Sequence, residues 1–124
     1  MKYTTHDGFY YLSQPYNGTE EQKRFRYEAG AKACMQLMEK GLSVFSPIVH
    51  NHNLLPFADN LSVERRREIF LPFDLTMLSR AKGMVVLTLE GWEESHGVGI
   101  EIDFCKQHQK SIIYLERAAI VDFT

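Results

Sequence analysis

The chain has 124 residues, 44% hydrophobic and 24% charged, with a formal net charge of −2. That length suits one domain with a real core and is too short for two. The near-neutral balance excludes a basic footprint for nucleic acid or an anionic membrane surface, and no stretch approaches the ~18 apolar residues of a membrane span.

The N-terminal MKYTTHDGFYYL lacks the long apolar segment of an export signal. Residues 9–13 (FYYLS) read as a first strand, which ends in Gln14, Pro15, Tyr16, Asn17 and Gly18. Thr19, Glu20, Glu21 and Gln22 form a capping-box pattern, Thr19 capping and Gln22 reaching back. A long helix follows, with Phe25, Ala29, Ala33, Leu37 and Met38 expected on its apolar face and Lys40-Gly41 as its stop.

Residues 42–46 (LSVFS) read as a second strand closed by Pro47, and residues 48–61 as irregular. Ser62 is placed to cap a charged helix, VERRREIF, that breaks at Pro72. Pro72 in turn suits the first turn of a further helix, FDLTMLSRAK. Residues 84–89 are a continuous apolar run of strand length, the form taken when both faces are covered. A helix over about residues 97–109 and a last strand, SIIYL, complete the chain. Cys34 and Cys105 lack metal spacing and fall on apolar-periodic segments, which favours two packed, reduced thiols in a cytoplasmic protein.

Strands alternating with helices imply βαβ units with right-handed crossovers. The expected fold is a single α/β domain over residues 1–124: a small doubly wound, Rossmann-like or flavodoxin-like sandwich with a four- to five-stranded parallel sheet. Ligands of such folds bind outside the carboxyl ends of the strands, at the topological switch point. Three stretches dense in unusual residues, 13–18, 47–52 and 91–99, each follow a strand. They therefore converge on one edge of the sheet, the candidate active site.

Residues 90–103, EGWEESHGVGIEID, hold far more special residues than a turn requires. With a helix starting near Gly97, Ser95 can cap it, and the free N–H groups behind Ser95 can bind an anion. Gly97 and Gly99 remove side chains where something must approach the backbone. Glu101 lies about one turn in, where a carboxylate facing a pocket can act as nucleophile or base. A cap followed by a solvated helix acid would leave the same pattern.

YLSQPY after the first strand, FSPIVHNH after the second, FDLTML on the middle helix and LEGWEESHGVGIEI after the third occur in a fixed order over residues 9–116. Together they resemble the nucleoside 2-deoxyribosyltransferase-like superfamily, most closely its small bacterial and phage members. The resemblance implies cleavage of the N-glycosidic bond of a nucleoside or nucleotide. Glu101 matches the family's nucleophile, Asp74 the aspartate that binds the departing base and supplies its proton, and Tyr11 the tyrosine that orients the nucleophile. The chemistry implied is that of a retaining glycosidase, with a glycosyl-enzyme resolved by water or by a second base.

Six residues before the nucleophile, the nucleoside transferases carry an acid for the sugar 5′-hydroxyl, where this chain has Ser95. A serine at a helix N-terminus suits a 5′-phosphate that a carboxylate would repel. The expected function is therefore an N-glycosidase of a (2′-deoxy)ribonucleoside 5′-monophosphate. Base exchange between nucleosides and a non-catalytic nucleotide-binding module are the alternatives.

Further substrate contacts are expected from Ser13, Tyr16, Asn17 and Gly18 on the first loop, and from Arg24 on the first helix. His50, His52 and Trp92 are candidates for base or sugar contact, against a surface loop for the histidines and packing for the tryptophan. His50 and His52 lack further ligands nearby, so no metal and no cofactor are expected. Arg65, Arg66 and Arg67 read as a solvated helical face or a subunit contact. The partners expected are a small-molecule nucleotide or nucleoside and a second copy of the chain, contacting through Met35, Met38, Phe70 and Leu71.

Overall fold

The apolar runs Tyr10–Ser13 (β1) and Gly83–Leu87 (β3) form the centre of a four-stranded sheet, flanked by Val44–Phe45 (β2) and Ser111–Leu115 (β4). All pairs are parallel, in the order β2-β1-β3-β4. This computed structural model describes residues 5, 7–117 and 119. The strands are joined and followed by helices α1 (Glu20–Glu39), α2 (Pro47–His52), α3 (Val63–Arg80) and α4 (His96–Gln107). Short 3₁₀ turns lie at Leu55–Ala58 and Trp92–Glu94.

Strand alternation sorts the core into two layers. Leu12, Val85 and Leu87 face α1, where they pack on Ala29 and Ala33. Tyr11, Met84 and Val86 face the other side, against Leu78 of α3 and Val98 and Cys105 of α4. The chain leaves β1 toward β2 on one side and returns to β3 on the other. The switch point of this α/β fold thus lies between β1 and β3, at the carboxyl edge.

The Thr19–Gln22 capping box is present, and Gly41 ends α1 at φ +93°, a conformation that favours glycine. The buried face of α1 is Ala29, Gly30, Ala33 and Gln36. Phe25 and Met38, expected on it, are 45% and 51% exposed. Small side chains bring the helix close to the sheet, leaving the larger ones at its flanks; Phe25 carries the Arg117 guanidinium over its ring at 4.7 Å.

Of residues 48–61, expected to be irregular, 48–52 continue from Pro47 as α2 and 55–58 form a 3₁₀ turn. Ser46 Oγ accepts from Val49 N at 3.0 Å and Pro47 fills the first turn. The break expected at Pro72 is absent, since α3 runs unbroken from Val63 to Arg80. Pro72 and Glu68 are both exposed, so water can take the Glu68 carbonyl that proline leaves without a donor. At 18 residues α3 is about 27 Å long, whereas the five residues of β3 span about 17 Å. Leu75, Met77 and Leu78 pack on the sheet. The N-terminal half of α3 stands past the sheet's carboxyl edge as a free wall. Among the described residues no helix is long and apolar enough to cross a membrane.

Candidate active site

A cavity of about 370 Å³ opens at the carboxyl edge, between the exits of β1 and β2, the free half of α3 and the start of α4. All three unusual stretches contribute to it: Tyr16 and Asn17 from the first, His52 from the second, Ser95 and Gly97 from the third. Asp74 and Glu101 are the two carboxylates among its lining residues.

Glu101 is fixed by strand alternation. Tyr11 and Ser13, two apart on β1, both face α4. The Tyr11 hydroxyl donates to Glu101 Oε2, and Ser13 Oγ donates to Oε1 at 2.6 Å. Both oxygens of a carboxyl that is only 9% exposed are thereby held. Burial pushes this carboxyl up to about 7; the bonds from Ser13 and Tyr11 pull it back, and the nearby charge of Asp74 adds to the rise. Burial, reinforced by the Glu101 charge, pushes the Tyr11 phenol far above its ordinary range, so it stays a protonated donor.

Asp74 projects from the middle of α3 and accepts from Asn51 Nδ2 at 2.9 Å on Oδ1. Burial raises its carboxyl to about 6, opposed by the Asn51 bond and by His50. The result is two neighbouring carboxyls, both displaced toward neutrality, in one cavity. Such pairs are where acid and base roles are divided.

Ser95 is the N-cap of α4, its Oγ accepting from Val98 N at 3.3 Å. Ser95, His96 and Gly97 line the cavity, so the helix N-terminus opens into it. A Cβ at Gly97 would meet nothing within 4 Å, so the glycine leaves open space there.

His52 lines the cavity with its Nδ1 2.7 Å from the Tyr16 hydroxyl, and its ring stacks on Tyr27 at 3.9 Å. This ties α2 to the loop after β1. Burial raises the Tyr16 phenol, with Glu20 adding to it.

Several expected contacts fall elsewhere. Ser13 is spent on Glu101 and is not among the lining residues. Gly18 lies outside the cavity, packed where a Cβ would be 2.3 Å from Gln22 Oε1, in the capping box. Gly99 and the exposed Arg24 also lie off it. The cation that serves this loop is instead Arg26, which donates to the carbonyls of Asn17 and Glu90 and so pins the loops after β1 and β3 together. His50 stacks on Phe73 at 5.1 Å outside the cavity. Trp92 packs on Tyr114 at 5.5 Å and against the core.

Lys23, Arg66 and Arg67 line the cavity without having been expected there, and Gln14 and Asn51 line it from the stretches expected to converge on it, though neither was named as a substrate contact. Phe70 and Leu71, expected at a subunit contact, also line it. Their signal is the spacing 66, 67, 70, 71, 74, one helical stripe leading to Asp74. A break at Pro72 hides it. Among the described residues no three His, Cys, Asp or Glu side chains group as metal ligands.

Fold and site together define a small parallel α/β domain with a clamped carboxylate pair at its switch point. Residues 8–117 match the family described as a domain of unknown function, DUF1937, and the chain belongs to that family. No curated protein matches it.

Proposed function

We propose that the chain is an N-glycosidase acting on a (2′-deoxy)ribonucleoside 5′-monophosphate. The observation that carries this reading is Glu101, buried at the cavity floor with both oxygens held and Asp74 nearby. The resemblance to nucleoside 2-deoxyribosyltransferases assigns those same residues as nucleophile, orienting donor and acid.

In this reading a Glu101 oxygen attacks the anomeric carbon as the C–N bond breaks. The bonding pair goes to the base nitrogen, and the base takes its proton from the Asp74 carboxyl. Water then attacks the same carbon, its proton goes to Asp74, and Glu101 leaves as carboxylate. Tyr11 and Ser13 act through Glu101 as positioning residues. Ser95 and the N–H groups at the start of α4 meet the 5′-phosphate. Free thiols at Cys34 and Cys105 support a reducing, cytoplasmic setting.

The test is base release from each deoxynucleoside and its 5′-monophosphate, with and without a second base as acceptor. Monophosphates should be cleaved a hundredfold or more faster, since a few charge-assisted bonds are each worth roughly 1.5–3 kcal/mol. Glu101→Ala should lose several orders of magnitude. Retention of a tenth of the rate, a loss of about 1.4 kcal/mol, removes Glu101 as nucleophile.

A further inference from the structure

On α3 a stripe of Arg66, Arg67, Phe70, Leu71 and Asp74 faces the cavity. The arginines stand about two turns from Asp74, some 10–12 Å along the axis, on the half of α3 that reaches past the sheet. Neither has a carboxylate within ion-pair reach among the described residues, whereas the adjacent Arg65 pairs with Glu68 at 3.6 Å. Arg66 donates through Nε and Nη2 to the Leu61 carbonyl at 3.3 and 3.2 Å. That fixes its guanidinium plane, and Nη1 has no partner among the described residues. Lys23 lines the same cavity and pairs at 3.6 Å with a Glu20 side chain that is 95% exposed, where pairing is weak.

Charge decides what these groups are for. Three cationic side chains face a cavity lined by two carboxylates, so the lining is positive even with both ionised. A 5′-monophosphate brings about two negative charges and is met, in the reading above, at the start of α4. Arg66 and Arg67 are left as two cations on the cavity wall without an ion-pair partner among the described residues.

We propose that Arg66 and Arg67, with Lys23, form a second anion-binding pole at the mouth of the cavity that takes a further phosphoryl group of the nucleotide. The favoured ligand class is then a doubly phosphorylated nucleotide, either a 5′-diphosphate or a 3′,5′-bisphosphate. This rests on the nucleotide reading of the cavity. Charge-assisted bonds from a fixed guanidinium to phosphate oxygens supply the preference.

Calorimetric titration of Glu101→Gln, which cannot form the glycosyl-enzyme, tests it. The ligands are the 5′-mono-, 5′-di- and 3′,5′-bisphosphates of the four common deoxynucleosides. One doubly phosphorylated form should bind at least tenfold tighter than its monophosphate, and which form does so locates the second phosphate. Adding Arg66→Gln and Arg67→Gln should erase that increment and leave monophosphate affinity within twofold. Equal affinity for singly and doubly phosphorylated ligands overturns the second pole, even where monophosphates are cleaved. So does a monophosphate affinity that itself depends on the arginines. Arginine-dependent tight binding with no base released from any nucleotide by the unsubstituted protein keeps the pole and removes the glycosidase. Absence of all nucleotide binding overturns both.

Discussion

Tyr11 and Ser13 hold both oxygens of Glu101 while burial pushes the same carboxyl up to about 7. A carboxyl whose folded pKa lies above its unfolded value contributes stability that is complete below about 4.5 and lost as pH rises through about 7. Glu101→Gln removes that loss and keeps the shape. The variant's thermal midpoint should therefore gain on the wild type between pH 5 and pH 8. A variant less stable by the same margin at both pH values would contradict this. Tyr11→Phe keeps the buried ring and deletes one donor to a charged group, a bond worth about 1.5–3 kcal/mol. It should lower kcat about 10- to 100-fold and move the pH dependence of Glu101 upward; an unchanged pH profile would make the tyrosine mere packing.

α1 and α3 position the site in different ways. Gly30 on α1 leaves room for Gln14, whose Oε1 would lie 2.0 Å from a Cβ there, and whose Nε2 donates to the Arg26 carbonyl at 2.8 Å. Gln14 is 4% exposed and cannot swing away freely. Gly30→Ala should thus cost about 1–3 kcal/mol by denaturant titration despite alanine's better helix propensity, and Gln14→Ala on top should recover part of it. Stabilisation by Gly30→Ala alone would show that the contact gives. How far such features can be read in sequence differs by element. The capping box before α1, the apolar run of β3 and the glycine-rich start of α4 follow from local rules, and convergence on one edge follows from parallel topology. Clamping of Glu101 is half legible: Tyr11 and Ser13 share a face by alternation, but their meeting with α4 is tertiary. α3 defeats local reading because Pro72 sits on its solvent side, where the missing N–H costs little. Ser46-Pro47 is legible as a helix start, yet it also closes a strand.

For the molecule as a whole, the two raised carboxyls set when the cavity can work. Catalysis in the proposed reading needs one proton on the pair, held by Asp74, with Glu101 ionised. Burial pushes both carboxyls up, Asp74 to about 6 and Glu101 to about 7, so the pair shares a proton near neutral pH. A base seated over Asp74 removes its remaining water and raises it further, while positive charge growing on the sugar favours an ionised Glu101. Against pH, kcat/KM should be a bell peaking at about 6.5, with limbs belonging to the pair rather than to either residue. A plateau from pH 6 to pH 9 would show that only one group titrates.

Mass spectrometry of the protein quenched in acid during turnover of a deoxynucleoside 5′-monophosphate tests the central claim most directly. A covalent mechanism predicts a mass increment of one deoxyribosyl phosphate on the peptide containing Glu101, absent in Glu101→Ala. Tyr11→Phe should carry the same adduct, formed more slowly. Base release at full rate with no adduct, or an adduct on a different residue, would contradict the role given to Glu101.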